Sequence, residues 1–352
     1  MSGSKAKLGN FFEDFSVGQV LQHATPRTVT VGDVAVYNGL YGPRFAVQSS
    51  DVFAQAIGYP RAPLDDLIVF HVVFGKTVPD ISLNAVANLG YAECRFLQPV
   101  YAGDTLSASS EVIGLRENAN KTSGVVYVRT TGRNHNAEPV LEYVRWVMVR
   151  KRDAASPAPT AVVPKLAERV DAASLGVAVP KLDLAGYDLA RAGSPYRWGD
   201  YAAGEKIDHI DAMTLEEAEH QIATRLYQNT AKVHFNLHEQ AQGQFKRRLI
   251  YGGVVISLAR ALSFNGLANA FHLAAINGGR HVAPCFAGDT VYAWSQVLET
   301  APIAGRSDIG ALRTRLVAAK NRRCADFPLR NGTGDYEDGV ILDLDCWLVL
   351  PR

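Results

Sequence analysis

The amino-acid sequence predicts an α+β protein made of two copies of one domain, each an antiparallel sheet wrapped around a long buried helix. The segment AGDT occurs at 102–105 and again at 287–290, each time before a strand-like run, so the two copies are offset by about 185 residues. Nearly the same offset relates Leu40-Tyr41 to Leu226-Tyr227. Each copy also contains one segment that is apolar on most helical faces, followed by several alternating segments.

The chain of 352 residues is long enough for two domains of ordinary size. We expect an N-terminal domain over 1–152 and a C-terminal domain over 195–352. The segment 153–194 between them is rich in Ala and Pro, as in AASPAPTAVVP. This composition does not sustain a helix or a sheet, so it predicts a linker that lies across the surface.

The first copy begins with a polar segment and a possible short strand. A helix is predicted over 30–41, and an irregular loop then leads to a second helix over 67–78. The second helix reads LIVFHVVFGKTV, which is apolar on most faces and therefore predicts burial. Alternating, β-branched segments predict the strands of this copy, at 92–97, 104–115, 125–132 and 140–150.

The second copy repeats this order, with helices predicted over 215–227 and 253–267. Its predicted strands are 290–298, 311–318 and 340–350. A buried helix wrapped by an antiparallel sheet is the hotdog arrangement, so we expect a tandem (double) hotdog. A doubly wound nucleotide-binding fold is disfavoured, because the chain contains neither GxGxxG nor GxxxxGK[ST].

The amino-acid composition limits the kinds of binding partner and the cellular compartment that we expect. The 36 Lys and Arg residues balance 35 Asp and Glu residues, so no global field attracts nucleic acid or an anionic membrane. An anionic substrate must then be held by local cations. No run of about 18 apolar residues and no secretory signal occurs, and the 4 cysteines lack CxxC spacing. We therefore expect a cytoplasmic protein with reduced thiols.

The loop before the second buried helix carries the first recognisable motif. It reads LYQNTAKVHFN at 226–236 and is followed by RRLIYGG at 247–253. These residues resemble the MaoC-type (R)-specific enoyl-CoA hydratases, whose Gly-Asp-x-Asn-Pro-Leu-His-x-Asp loop precedes an Arg-Pro-x-x-His-Gly step into the hotdog helix. Aligned on His234, Asn229 replaces the family's catalytic Asp, and Tyr251-Gly252 replaces His-Gly.

The equivalent loop of the first copy lacks the histidine of the motif. The offset places Gln48 at the position of His234 and Asp65-Asp66 at the His-Gly step. The resemblance therefore implies that the second copy carries the catalytic loop and that the first copy shapes the acyl pocket.

Longer segments resemble a narrower group, the mesaconyl-CoA hydratases, also called β-methylmalyl-CoA dehydratases. The resemblance extends from about Asn10 to Leu350, and five segments carry it: 61–66, 70–92, 143–152, 248–253 and 260–269. It implies reversible addition of water to 2-methylfumaryl-CoA (mesaconyl-C1-CoA), giving β-methylmalyl-CoA. It also implies a role in the ethylmalonyl-CoA pathway and glyoxylate assimilation, or in the 3-hydroxypropionate cycle.

This chemistry needs a group that moves protons and donors that hold an enolate oxygen. His234 suits the first task, because an imidazole titrates near neutral pH. Gly252 and Gly253 suit the second, since N–H groups at a helix start have no intrahelical acceptor. No cofactor is expected, and no metal either, because His234 and His238 have neither an HExxH pattern nor an evident third ligand.

Asn229 leaves the acid/base pair incomplete, because an amide orients water but cannot act as a base. We expect Asp65 or Asp66 of the other copy to supply the missing carboxylate, with Glu93 as a weaker candidate. The alternative for the aspartate pair is a structural role, in which the carboxylates stabilise the start of the following helix through its dipole.

The substrate's free carboxylate and its CoA phosphates require cations and other polar groups. The candidates for substrate binding are Arg44, Gln48, Arg61, Tyr227, Arg247, Arg248 and Tyr251. Three alternatives remain open: a hydratase for another short enoyl-CoA such as itaconyl-CoA, a hotdog thioesterase, and a non-catalytic acyl-CoA-binding protein. Because hotdog sheets leave edges to pair, a homo-oligomer is expected.

Overall fold

The computed structural model describes residues 5–352, and its ten strands form a single antiparallel sheet. The strands are β1 (Val20–Thr28), β2 (Ala85–Phe96), β3 (Thr105–Glu117), β4 (Ser123–Arg133), β5 (Pro139–Arg150), β6 (Lys206–Thr214), β7 (His272–His281), β8 (Thr290–Pro302), β9 (Ile309–Lys320) and β10 (Val340–Pro351). Their order in the sheet is β1-β3-β4-β5-β2-β7-β10-β9-β8-β6. The second five strands repeat the order of the first five in reverse, so the two halves join through β2 and β7.

The helices lie against this sheet and in its loops. The α-helices are α1 (Val31–Tyr41), α2 (Ala46–Ser49), α3 (Asp51–Ala56), α4 (Asp66–Thr77), α5 (Leu189–Ala192), α6 (Glu217–Leu226), α7 (Lys232–Phe235), α8 (Leu237–Gln240), α9 (Gly252–Leu262) and α10 (Phe264–Leu267). A π-helical turn, Val78–Ser82, follows α4. Short 3₁₀ helices occur at Phe12–Asp14, Ala172–Ser174, Leu184–Gly186 and Trp198–Asp200.

The two central helices, α4 and α9, are the ones that the sheet wraps. Every residue of α4 after Asp66 is buried, as is every residue of α9 after Gly252. Asp65 caps α4, because its side chain accepts the Leu67 N–H at 2.9 Å. The apolar sequences of both helices are explained by this burial on all sides, and the predicted double hotdog is confirmed.

Equivalent contacts recur in the two halves. His23 lies 2.8 Å from Ser110 through its Nε2, and His209 lies 2.8 Å from Ser295 in the same way. His23 is equivalent to His209, and Ser110 is equivalent to Ser295, at the offset predicted from the sequence.

Other related residues meet each other on the pseudo-twofold axis. The Tyr227 hydroxyl donates to the Tyr41 hydroxyl at 3.0 Å. His71 of α4 lies 3.0 Å from Ser257 of α9, through Nε2 and Oγ. Both pairs are separated by 186 residues. The axis therefore passes between α4 and α9, where polar side chains of both halves are buried together.

The predicted helices 30–41, 67–78 and 215–227 match α1, α4 and α6 to within two residues. The predicted helix 253–267 is wrong in its last part, because α9 ends at Leu262, and Asn265 and Gly266 have non-helical dihedral angles. Strand β7 and the first half of β2 were not predicted. In β7 the pair Gly278-Gly279 interrupts the apolar pattern that identifies a strand.

Most residues of the linker are exposed or half-buried, but the linker does more than lie across the surface. It contributes buried side chains to a hydrophobic cluster, namely Val170, Leu175, Val179, Leu182 and Tyr187. Trp347 of β10 belongs to the same cluster, and its indole N–H donates to the Val170 carbonyl at 3.1 Å. Although Ala and Pro prevent regular structure here, the interspersed apolar residues cover one face of the second half of the sheet.

Within residues 5–352, no helix is long and apolar enough to cross a membrane. The same residues contain no group of three or more His, Cys, Asp or Glu side chains arranged to hold a metal ion. The 4 cysteines are buried and unpaired.

Candidate active site

The candidate site lies where the start of α9 meets the loop that follows α6. The last turns of α4 pack closely against this loop. A Cβ atom at Gly75 would lie 1.8 Å from the carbonyl oxygen of Tyr227, so only glycine fits there. Both halves of the chain therefore build the site.

His234 is buried in this loop with 8% of its surface exposed. Its Nδ1 lies 2.8 Å from the Leu249 carbonyl oxygen. Because a carbonyl oxygen only accepts hydrogen bonds, Nδ1 carries the proton and Nε2 holds the lone pair. Burial lowers the pKa of His234 to about 4, so the ring is neutral at pH 7. Nε2 is thus a base held in one tautomer.

Tyr251 stands beside this histidine and forms the N-cap of α9. Its ring centroid lies 5.5 Å from that of His234. Its backbone N–H donates to His220 Nε2 at 3.0 Å, and its hydroxyl lies 3.4 Å from His71 Nδ1. The tyrosine therefore connects the loop that carries His234 to the central helix of the first half.

Gly252 and Gly253 form the first turn of α9 and are closely surrounded by rings. A Cβ atom at Gly252 would lie 2.3 Å from the His281 ring. One at Gly253 would lie 2.4 Å from the Tyr251 ring and 2.6 Å from that of His71. The N–H groups of a first helical turn have no intrahelical acceptor, so these two remain able to bind an oxyanion.

Three further histidines, His71, His220 and His281, lie in the site or in its wall, and none of them was predicted from the sequence as a site residue. Burial lowers the pKa of His71 and of His220 to about 3, and that of His281 to about 4. His281 Nε2 lies 3.4 Å from the Tyr91 hydroxyl. His281 ends β7, a strand that was not predicted, so no sequence signal placed it near His234.

Asn229 is buried in the same loop, but its side-chain oxygen is used within the loop. The oxygen accepts the Ala231 N–H at 3.0 Å. The amide nitrogen is therefore the end that remains for a ligand.

The structure does not bring Asp65 or Asp66 next to His234. Both lie at the start of α4, where Asp66 accepts from His272 Nδ1 at 3.0 Å. Asp65 accepts from the Tyr37 hydroxyl at 3.3 Å, and burial raises the pKa of this carboxyl to about 6. The pair occupies the position in the first half that Tyr251-Gly252 occupies in the second.

Glu93 also lies elsewhere. It forms an ion pair with Arg129 at 2.7 Å and accepts the Ala167 N–H of the linker. Its role in the structure is to hold the linker against the sheet.

Three predicted substrate-binding residues lie in the first half, in contacts of their own. The Gln48 amide donates to the Phe271 carbonyl at 2.6 Å. Arg61 donates to the Ala102 carbonyl at 2.8 Å, and Arg44 lies 3.6 Å from Asp211. None of these contacts involves His234 or α9.

The other predicted binding residues lie nearer to the catalytic loop. Arg247 stacks on the Phe286 ring at 3.8 Å, and Arg248 pairs with Glu217. The Tyr227 ring packs on His71, with centroids 4.7 Å apart. Tyr227 and Tyr251 are therefore the predicted binding residues that the structure brings together, both of them against His71.

Comparison with known structures defines the class. A MaoC domain dehydratase from Chloroflexus aurantiacus superposes with a TM-score of 0.97 at 61% identity, covering 99% of both chains. A Mycobacterium tuberculosis protein described as a double hotdog superposes with a TM-score of 0.73 at 26% identity, covering 98% of this chain and 99% of the other. The fold is that of a MaoC-like double-hotdog protein.

Sequence comparison narrows the class to one family. The family model for mesaconyl-CoA hydratase matches residues 3–333. The chain is 61% identical to the β-methylmalyl-CoA dehydratase of Chloroflexus aurantiacus, over 99% of both chains. It is 60% identical to the mesaconyl-CoA hydratase of Cereibacter sphaeroides, over 99% of this chain and all of the other. The protein belongs to the mesaconyl-CoA hydratase family.

Proposed function

We propose that this protein adds water reversibly to 2-methylfumaryl-CoA and forms β-methylmalyl-CoA, as a hydro-lyase. Membership of the family supports this substrate. The observation that carries the chemistry is the fixed tautomer of His234 beside the first turn of α9. A neutral base and two unpaired N–H donors are the groups that hydration of an enoyl thioester requires.

In the proposed reaction His234 moves the proton in both steps. The oxygen of a bound water attacks C3 of the substrate while His234 Nε2 takes one of its protons. The electron pair of the double bond moves onto the thioester oxygen, which receives hydrogen bonds from the N–H groups of Gly252 and Gly253. The imidazolium then returns the proton to C2, which restores the thioester and neutral His234. The amide of Asn229 orients the attacking water.

We also propose the setting in which this reaction operates. Each step uses water and groups of this chain, so activity should persist in the presence of a chelator. Buried free thiols suit a reducing cytoplasm. The reaction suits the ethylmalonyl-CoA pathway or the 3-hydroxypropionate cycle. Strands β1 and β6 end the sheet and expose Val20 and Ile210, which favours a homo-oligomer that light scattering would detect.

The experiment mixes the purified protein with 2-methylfumaryl-CoA and follows the loss of enoyl-thioester absorbance. His234→Asn should lower kcat by 10²-fold or more, the usual contribution of a general acid–base group. His238→Asn, an exposed residue four positions away, is the matched control and should leave kcat unchanged.

The outcomes separate the alternatives. No absorbance change with the parent protein, together with tight binding of the ester, indicates a non-catalytic acyl-CoA-binding protein. Release of free thiol indicates a thioesterase. Hydration by the parent that survives His234→Asn within twofold contradicts the role of His234.

A further inference from the structure

The strongest unexplained feature is a buried arginine, Arg145, in the interior of the first half. It lies on β5 with none of its surface exposed. Its Nη2 donates to the Thr77 hydroxyl at 2.7 Å and to the Ser82 hydroxyl at 3.4 Å. Its Nε and Nη1 are buried without any hydrogen-bond partner among residues 5–352. Three of the five N–H donors of a guanidinium are therefore left unsatisfied.

Among residues 5–352, no carboxylate forms an ion pair with this guanidinium. The titratable groups around it include the phenols of Tyr143, Tyr91 and Tyr251, whose pKa values are raised by burial so that they are neutral at pH 7. Burial lowers the pKa of Arg145 from its usual value. Burying an unpaired guanidinium with free donors is costly, and proteins ordinarily pair such a group. An anionic ligand that completes the pair is the simplest physical reason for keeping it.

The register of the sheet directs Arg145 toward the active site. Arg145 stands directly opposite Tyr91 in the pairing of β5 with β2, so both side chains lie on the same face. The Tyr91 hydroxyl lies 3.4 Å from His281, the residue that closes around Gly252. Arg145 is thus one strand away from the wall of the proposed oxyanion site.

Contacts through α4 also connect Arg145 to the candidate site. The guanidinium of Arg145 lies over the Phe74 ring, 4.2 Å from its centroid. The Tyr251 ring lies 5.8 Å from the same phenyl ring. Phe74 therefore contacts both the arginine and the tyrosine that stands beside His234. Stacking on the phenyl face also leaves the N–H groups at the edge of the guanidinium available.

The other half provides an internal comparison. The strand position equivalent to Arg145 is Cys346, which pairs with Ile276 and Thr314 as Arg145 pairs with Tyr91 and Val128. That half buries Arg260 instead.

Arg260, unlike Arg145, has compensating partners. It bonds Ser263 and the Ala270 carbonyl and interacts electrostatically with Asp65 and Asp66. Of these two buried arginines, Arg145 is the one that has no carboxylate partner among residues 5–352.

We infer that Arg145 binds the free carboxylate of a dicarboxylic acyl group and thereby determines the substrate class. This inference rests on the proposed function. In 2-methylfumaryl-CoA the free carboxylate is bonded to C3, the carbon that water attacks. An arginine that holds it also positions the reacting carbon, and a carboxylate can take two N–H donors at once. The arginines predicted from the sequence, in comparison, lie in contacts of their own.

The test compares two substrates that differ only in this carboxylate. Tiglyl-CoA has the carbon skeleton of 2-methylfumaryl-CoA with a methyl group in place of the carboxylate. Arg145→Met should lower kcat/KM for 2-methylfumaryl-CoA by 10²-fold or more and leave that for tiglyl-CoA within threefold. Arg145→Lys should recover part of the loss. Arg129→Met, on the neighbouring strand β4, is the control and should leave kcat/KM unchanged for both substrates.

A measurement on the parent protein covers the case in which Arg145→Met does not fold. Succinyl-CoA and butyryl-CoA are unreactive in hydration and differ by one carboxylate. Succinyl-CoA should bind at least tenfold tighter in calorimetry, and Arg145→Lys should reduce this ratio.

The outcomes distinguish the two proposals. Equal binding of the two esters overturns the inference, and so does an Arg145 variant that lowers kcat/KM equally for both enoyl substrates. If the parent does not hydrate 2-methylfumaryl-CoA but still prefers succinyl-CoA in an Arg145-dependent manner, the proposed reaction fails and the carboxylate site remains.

Discussion

Acidification should unfold this protein at a mildly acidic pH because it buries neutral histidines. Four histidines that are at most 8% exposed also have a strongly lowered pKa: His71, His209, His220 and His234. Burial lowers their pKa values to about 3 or 4, whereas an unfolded histidine titrates near 6.5. The unfolded state therefore binds protons first, and stability is lost as the pH falls from about 6.5 toward 4.

The magnitude follows from these values. Each histidine costs about 1.4 kcal/mol between pH 7.5 and 5.5, so four cost roughly 5 kcal/mol. Asp65 opposes this, because its pKa is raised to about 6 and its protonation stabilises the folded state by about 1 kcal/mol over the same interval. We expect the free energy of unfolding to fall by about 4 kcal/mol, a large part of the stability of an ordinary domain.

The assay is urea denaturation at several pH values, followed by tryptophan fluorescence. His209→Asn provides the internal check, because an amide can still donate to the Asn265 carbonyl, as His209 Nδ1 does at 2.7 Å. This variant should lose about 1.4 kcal/mol less than the parent over the interval. Replacing the exposed His238 should change nothing. A fall below about 1 kcal/mol in the parent, or identical slopes for the parent and His209→Asn, would refute the reasoning.

Three further expectations concern packing. Gly75→Ala should lower the free energy of unfolding by about 3 kcal/mol in thermal unfolding, because its Cβ would meet the backbone. Gly39→Ala, whose Cβ meets nothing within 4 Å, is the control and should be near neutral. Similar melting of the two variants would contradict this. Gly252→Ala should reduce hydratase activity tenfold or more by displacing His281, with Gly199→Ala as an unaffected control; full activity would exclude close approach at this turn. All 4 thiols should react with a disulfide reagent only after denaturation, because they are buried, and rapid labelling of the native protein would argue against that burial.

The sequence by itself determined the duplicated architecture, because each half repeats the same order of helix and strand patterns. It also singled out His234 and the glycines that begin α9 as candidates, since these belong to local motifs. Local patterns did not predict strand β7, because it contains Gly278-Gly279. They also did not predict the buried part of the linker, because its apolar residues, such as Val170, are interspersed with Ala and Pro.

The tertiary structure decided which residues meet. The duplication placed Asp65 at the position equivalent to Tyr251, at the step into the central helix, but in the folded chain Asp65 bonds Tyr37 and does not meet His234. Strand register set Arg145 opposite Tyr91, a contact between residues 54 positions apart that no local motif encodes. The tautomer of His234 likewise depends on the Leu249 carbonyl. The periodicity of the sequence indicates which residues are buried, whereas strand register and the pseudo-twofold symmetry determine which residues become neighbours. Register and symmetry are established only when the strands pair and the two halves pack together.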